Sequence, residues 1–148
     1  MKPEVVSCVL LADRHHGVTE GARGMLEATF DAVVMVADED SLVESAKRLQ
    51  PTMAVVDVSL LAGDSLRWLK WLRALCPGLK LILLSVHDEP SVCRAAMAAG
   101  ADGFVLKRAI ATQLLDAVDE VLAGRSYVPP GMVQEISPPK KPDPENQP

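Results

Sequence analysis

Short, nearly unbroken apolar runs alternate along this chain with longer stretches whose apolar residues recur every three or four positions. The runs are Val5–Ala12 (VVSCVLLA), Val33–Val36, Ala54–Val56, Leu79–Leu84 and Phe104–Leu106. A strand apolar at every position is buried on both faces, as in a parallel sheet covered from two sides. The helical stretches are Thr19–Thr29, with Ala22, Met25, Leu26 and Thr29 on one face, and Asp40–Gln50, with Leu42, Val43, Ala46 and Leu49. Ser65–Leu75 follows with Leu66, Leu69, Leu72 and Leu75, then Ser91–Ala99, then Ala111–Ala123 with Leu114, Leu115, Val118 and Leu122. Ser41 with Glu44 three residues on predicts a capping box at the second helix. Gly100 and Gly124 predict glycine stops after the fourth and fifth.

Five strand–helix repeats imply an α/β domain, because each parallel crossover needs a covering helix. In open sheets of this kind ligands bind beyond the carboxyl ends of the strands. Asp13, Asp57, Ser85 and Lys107 each stand just past an apolar run. A lone carboxylate in such a place usually faces solvent or caps a helix. Asp57 differs because a hydroxyl from Ser85 and an ammonium from Lys107 are delivered to the same edge. Phosphoryl transfer to an acid needs this set: a carboxylate to attack, a hydroxyl and an ammonium to bind phosphoryl oxygens, and a divalent cation to offset charge.

The residues around these positions resemble the receiver domains of two-component response regulators. The segments that carry the likeness are Val9–Arg23 (VLLADRHHGVTEGAR), Pro51–Leu66 (PTMAVVDVSLLAGDSL), Lys80–Asp88 (KLILLSVHD) and Gly100–Ala109 (GADGFVLKRA). They are most similar to the class whose receivers precede a helix-turn-helix output domain, the nitrate/nitrite-response (LuxR-type) class. The resemblance implies a flavodoxin-like (CheY-like) doubly wound sheet of five parallel strands, order 2-1-3-4-5, with five helices. It implies Asp57 as phosphoacceptor, Lys107 as the phosphoryl-binding ammonium, Ser85 as the hydroxyl that moves on activation and Phe104 as the aromatic that moves with it. A weakly bound Mg²⁺ (or Mn²⁺) would be held by Asp13, Asp57 and the backbone carbonyl of Ser59.

Two departures accompany the resemblance. The family's first loop carries two adjacent acids, where this chain reads Asp13-Arg14. A guanidinium has no lone pair to offer Mg²⁺ and brings a fixed positive charge to the ion's place. Arg14 is therefore expected either to leave a weak, water-rich metal site or to lock the carboxylates as a permanent salt-bridge partner. The loop after Asp57 also replaces the family's proline and glycine with Leu61, Ala62 and Ser65. Two functions follow: a stand-alone receiver phosphorylated on Asp57 by a sensor histidine kinase, or a phosphorylation-independent module for protein binding or dimerisation. In both, the signal leaves by protein–protein contact, with a homodimer through the first and fifth or the fourth and fifth elements.

Composition narrows the alternatives. A net charge of −5 argues against a nucleic-acid binder, which needs a basic face, and against attraction to an anionic membrane. No apolar stretch approaches the roughly 20 residues of a membrane span, and the start lacks a leader pattern. Cys8, Cys76 and Cys93 sit among apolar residues without a CxxC pair, as reduced buried thiols of a cytoplasmic protein do. No catalytic motif for an external substrate is present, so an enzyme is not expected. Residues 1–128 are expected to form the receiver and 129–148 a proline-rich flexible tail, since Arg125–Pro148 holds seven of the eleven prolines. The segment equivalent to the family's linker, Ser126–Ile136, leads into those prolines instead of an output domain. His15-His16 and His87-Asp88 are expected to shape loops, and Trp68 with Trp71 to pack against the core.

Overall fold

A computed structural model describes residues 7–61 and 65–132. Five parallel strands form one sheet in the order β2-β1-β3-β4-β5: β1 (Cys8–Ala12), β2 (Ala32–Val36), β3 (Met53–Asp57), β4 (Lys80–Ser85) and β5 (Gly103–Leu106). Five helices connect them: α1 (His16–Glu27), α2 (Glu39–Leu49), α3 (Ser65–Leu75), α4 (Pro90–Ala98) and α5 (Ile110–Leu122). This is the doubly wound order expected from the sequence.

The all-apolar strands are explained by where their side chains go. Successive residues point to opposite faces, and two separate clusters result. Leu10, Ala54, Val56, Leu81, Leu83 and Phe104 pack on one face with residues of α2, α3 and α4, among them Leu42, Leu72 and Cys93. Val9, Leu11, Val55, Ile82, Leu84 and Val105 pack on the other with α1 and α5, through Leu26, Leu114 and Val118. All three cysteines are buried and unpaired, and burial pushes the Cys93 thiol up to about 11. These thiols are packing groups and not nucleophiles.

Helix ends show where the spacing misleads. Helix α2 is capped by Asp38, whose carboxylate accepts the Ser41 N–H at 2.7 Å, so Ser41 and Glu44 are not its capping box. Helix α1 begins at His16, three residues earlier than expected, and Thr29 lies beyond its end. The buried face of α5 is Leu114, Ala117, Val118 and Val121, whereas Leu115 and Leu122 are exposed. Gly100 and Gly124 do take positive φ after α4 and α5, as a chain leaving a helix this way requires. Trp68 is half-buried against the core, but Trp71 is 46% exposed and meets it edge to face at 5.2 Å.

After α5 the chain returns along the open edge of the sheet. Tyr127 forms a parallel bridge with Gly103: its carbonyl accepts the Phe104 N–H and its own N–H donates to the Asp102 carbonyl, each at 3.0 Å. Gly103 is packed closely on the core side, where a Cβ would come within 3.1 Å of Ile82 Cγ1 and 3.3 Å of Val121 Cγ2. Pro129 and Met132 are buried, Met132 in the cluster that holds Phe104. Packing thus continues four residues past the expected boundary at 128, and residues 133–148 of the expected tail lie outside the described residues. No helix among the described residues is long and apolar enough to cross a membrane.

Candidate functional site

Parallel pairing brings the carboxyl ends of β1, β3, β4 and β5 to one edge, in register. Ala12 pairs with Val56, Asp57 with Leu84, and Ser85 with Leu106. Asp13 and Lys107 are the residues immediately after β1 and β5, so both arrive beside Asp57. Asp13 is fixed there by its N–H, which donates to the Val36 carbonyl at 3.0 Å.

Lys107 binds the two acids together. Its Nζ lies 2.8 Å from Oδ2 of Asp57 and 2.8 Å from Oδ2 of Asp13. The three side chains are 9%, 3% and 0% exposed. Toward Asp57 the ammonium is aligned as a hydrogen bond. Toward Asp13 it is close enough for an ion pair but poorly aligned, so Asp13 Oδ2 is a buried oxygen without a hydrogen bond. Asp57 Oδ1 accepts the Ser59 N–H at 3.0 Å, and Asp13 Oδ1 accepts the His15 N–H at 2.8 Å.

Electrostatics follow from this arrangement. Burial works to raise the Asp57 carboxyl, but the hydrogen bonds from Lys107 and the Ser59 N–H outweigh it and hold it below the ordinary aspartate range. Burial likewise works to lower Lys107, and the two carboxylates more than reverse that and raise it. Asp57 is therefore ionised at neutral pH and available as a nucleophile, with an ammonium already at its side.

Ser85 is buried at the next strand end, where its hydroxyl accepts the His87 N–H at 2.9 Å and donates to the His87 carbonyl at 3.2 Å. It is engaged with its own loop and not with Asp57. His87 and Asp88 do shape that loop, and Asp88 reaches Arg108 at 3.2 Å. Phe104 is fully buried on the α2–α4 face.

Arg14 does not lock the carboxylates. It forms no ion pair with Asp13 or Asp57; instead its exposed guanidinium donates from Nη2 to the Ser59 and Leu60 carbonyls, both at 3.4 Å. The salt-bridge expectation is corrected in this respect: Lys107 lies against both acids, and Arg14 turns to backbone oxygens. Leu61 is buried behind this loop, while Ala62 and the Ser65 side chain lie outside what is described. His15, expected only to shape the loop, also carries its Nδ1 to 3.6 Å from Asp13 Oδ1. Asp13, His15 and Asp57 each offer one ligand atom, all within 4.8 Å of one another. The two-residue spacing from Asp13 was the only sign of this in the sequence. Asp13 Oδ2, a buried negative oxygen whose one close cation is the poorly aligned Lys107 ammonium, could also serve a bound cation. Arg14 works against one, because it occupies the Ser59 carbonyl and adds positive charge.

A five-stranded doubly wound sheet with two acids and a lysine at its carboxyl edge is the receiver class of signalling domain. The chain belongs to the response regulator receiver domain family, whose model matches residues 9–119. It is similar to the response regulator GacA of Pseudomonas viridiflava, 30% identical over 132 residues, covering 87% of this chain and 61% of that protein. It is also similar to the transcriptional regulatory protein DegU of Brevibacillus brevis, at 26% identity over 130 residues, 86% of this chain and 55% of DegU. This chain thus spans less than two thirds of either relative. Among solved structures, the isolated REC domain of RcsB from Salmonella enterica serovar Typhimurium, with phosphomimetic BeF3−, matches with a TM-score of 0.78. The two are 25% identical, covering 90% of this chain and all of that one. A LuxR-family two-component response regulator from Aurantimonas sp. SI85-9A1 matches equally, with a TM-score of 0.78 at 25% identity, covering 90% of this chain and 96% of that one. Receiver domains generally bind Mg²⁺ at an acidic pocket, and Asp13, His15 and Asp57 form an acidic group at this edge.

Proposed function

We propose that this chain accepts a phosphoryl group on Asp57 from a sensor histidine kinase and passes the signal on by protein contact. The observation that carries the proposal is the single ammonium of Lys107 held 2.8 Å from both Asp57 and Asp13 at the ligand-binding edge of the sheet. The Asp57 carboxylate is the nucleophile. Lys107 is placed to follow one phosphoryl oxygen, and the Ser59 N–H already donates to Asp57 Oδ1. Ser85 reaches a second phosphoryl oxygen if its hydroxyl leaves the His87 backbone, and that exchange couples the site to the loop before α4. Phe104, the buried aromatic of β5, would respond to it.

Asp13, Asp57 and the Ser59 carbonyl are the groups that would hold Mg²⁺, and weakly, since Arg14 competes for that carbonyl. The ion would supply positive charge against the phosphoryl oxygens. A net charge of −5 supports output through protein partners, a second copy of this chain included, and not through nucleic acid. The phosphorylation-independent alternative drew on a salt bridge from Arg14 and on the altered loop after Asp57, and Arg14 forms no such bridge. Intact mass after incubation with acetyl phosphate and Mg²⁺ tests the proposal, with Asp57→Asn alongside. One added phosphoryl group, absent from the variant, is expected. A folded protein that gains none would return the constitutive binding module to first place.

A further inference from the structure

We propose that Arg14 supplies from within the chain the positive charge that a divalent ion would bring to the phosphorylated site, so that phosphorylation of Asp57 proceeds without metal. The inference rests on Asp57 being the phosphoacceptor and concerns what neutralises the product.

Charge comes first. Asp13 and Asp57 share Lys107, and Arg14 lies on the Ser59 carbonyl beside them, so the two carboxylates and two fixed cations of this edge sum to zero. An acid at position 14 together with a divalent ion would add one net positive charge. The guanidinium adds the same single charge alone. Phosphorylation converts the Asp57 monoanion into an acyl phosphate that bears close to two negative charges, and the excess left over is the same in either design.

Geometry comes second. Ser59 connects Arg14 to the acceptor, since its N–H donates to Asp57 Oδ1 at 3.0 Å and its carbonyl accepts from Arg14 Nη2. The guanidinium is thus one residue of backbone from the reacting oxygen. Its two hydrogen bonds are long, at 3.4 Å, and it is exposed, so releasing them costs little. Nε and Nη1 of Arg14 make no hydrogen bond to a described residue, so once Nη2 leaves the two carbonyls the planar fork can take a phosphoryl group through two parallel N–H···O bonds. The same position explains a poor metal site, because the carbonyl Arg14 holds is the one the ion would need.

In the transfer from acetyl phosphate, an Asp57 carboxylate oxygen attacks phosphorus and a new O–P bond forms. The P–O bond to the acetyl group breaks, and acetate leaves with that electron pair. No proton or electron is exchanged, so the only requirement is charge on the phosphoryl oxygens, which Lys107 and Arg14 meet.

The test is a time course of intact mass with acetyl phosphate, in excess EDTA and in Mg²⁺, for wild type, Arg14→Gln and Arg14→Asp, with Mg²⁺ binding followed separately by calorimetry. Wild type should gain one phosphoryl group in both media at similar rates. Arg14→Gln should slow about a hundredfold in EDTA, the scale of losing one oxyanion-stabilising donor. Arg14→Asp should be labelled only with Mg²⁺ and should bind that ion at least about tenfold more tightly than wild type, because a repelling charge becomes an attracting one. Wild type labelled with Mg²⁺ but silent in EDTA would overturn the inference and leave Asp57 as phosphoacceptor. Arg14→Gln labelled as fast as wild type in EDTA would overturn it too. No labelling in either medium would overturn the phosphoacceptor reading and the inference together.

Discussion

Strand β5 is four residues long and carries an ion pair at each end, and the two pairs are built to opposite standards. At its start Asp102 Oδ2 accepts the Leu81 N–H and Arg73 Nη1, both at 2.9 Å, while Arg73 also donates to the Leu79 carbonyl. Both side chains keep about a third of their surface in water (34% and 27%). At its other end Lys107 serves two carboxylates that water scarcely reaches, and Asp13 Oδ2 is left without an aligned donor. Desolvating charge is costly unless every group is partnered. The first pair meets that condition and ties α3 to β4 and β5. The second does not, and a sheet that can build the first has no structural need for the second. Groups held in an unsatisfied arrangement mark the end of the sheet that is kept for a ligand.

The largest break in this contrast is Lys107→Met. It leaves two buried carboxylates with no cation, and a loss of about 3 kcal/mol in urea unfolding is expected, together with loss of labelling by acetyl phosphate. The pH profile gives the same change a signature. Lys107 is raised in the fold, so its contribution is complete below the ordinary lysine value and disappears as pH rises through the higher folded one. Asp57 is lowered, so its contribution is complete above the ordinary aspartate value and disappears as pH falls through the lower folded one. Wild type should weaken at both extremes, and the variant should lack the alkaline decline. A variant as stable as wild type would mean that water reaches the carboxylates and the pair carries no weight. Asp102→Ala, at the other end, strands the Leu81 N–H and Arg73, and about 2 kcal/mol should be lost. Labelling of Asp57 should be unchanged, and a parallel fall in labelling would show that the two ends of β5 are coupled.

The strands and their order were legible because burial on both faces removes polar residues from every position, and few other structures do that. The site residues were legible by the same logic, as polar groups interrupting apolar runs at one edge. Which of them pair was not. Nothing in the order Asp13, Arg14, Asp57, Lys107 says that the lysine and not the arginine takes both acids, because that depends on where β5 ends relative to β1 and β3. The start of α1 was missed since the Asp13 carboxylate takes the His15 N–H and turns the chain at once into the helix. Leu115 and Leu122 were grouped with Leu114 and Val118 on apolar character alone, although the buried face of α5 is fixed by Leu114, Ala117, Val118 and Val121. Pro129–Met132 was read as part of a flexible tail from its prolines. A single bridge to Gly103 needs few N–H donors, and a proline can be buried beside an edge strand without stranding one.

The finest test of the contrast is the same small change made at each end. Asp13→Asn keeps an acceptor for the His15 N–H, removes one of two buried like charges and leaves Lys107 in a balanced pair with Asp57. Stability should rise by about 1 kcal/mol, the scale of relieving one buried unsatisfied polar group, seen as a higher urea midpoint at constant slope. Asp102→Asn also keeps an acceptor, but it weakens two aligned hydrogen bonds to a carboxylate that lacked nothing, so its midpoint should fall. Opposite signs from identical substitutions would show that the unsatisfied charge beside Asp57 is retained at the expense of stability. If Asp13→Asn lowers the midpoint as well, the poor alignment of Lys107 with Asp13 is relieved in solution, by water or by an ion, and the two ends of the strand are built alike.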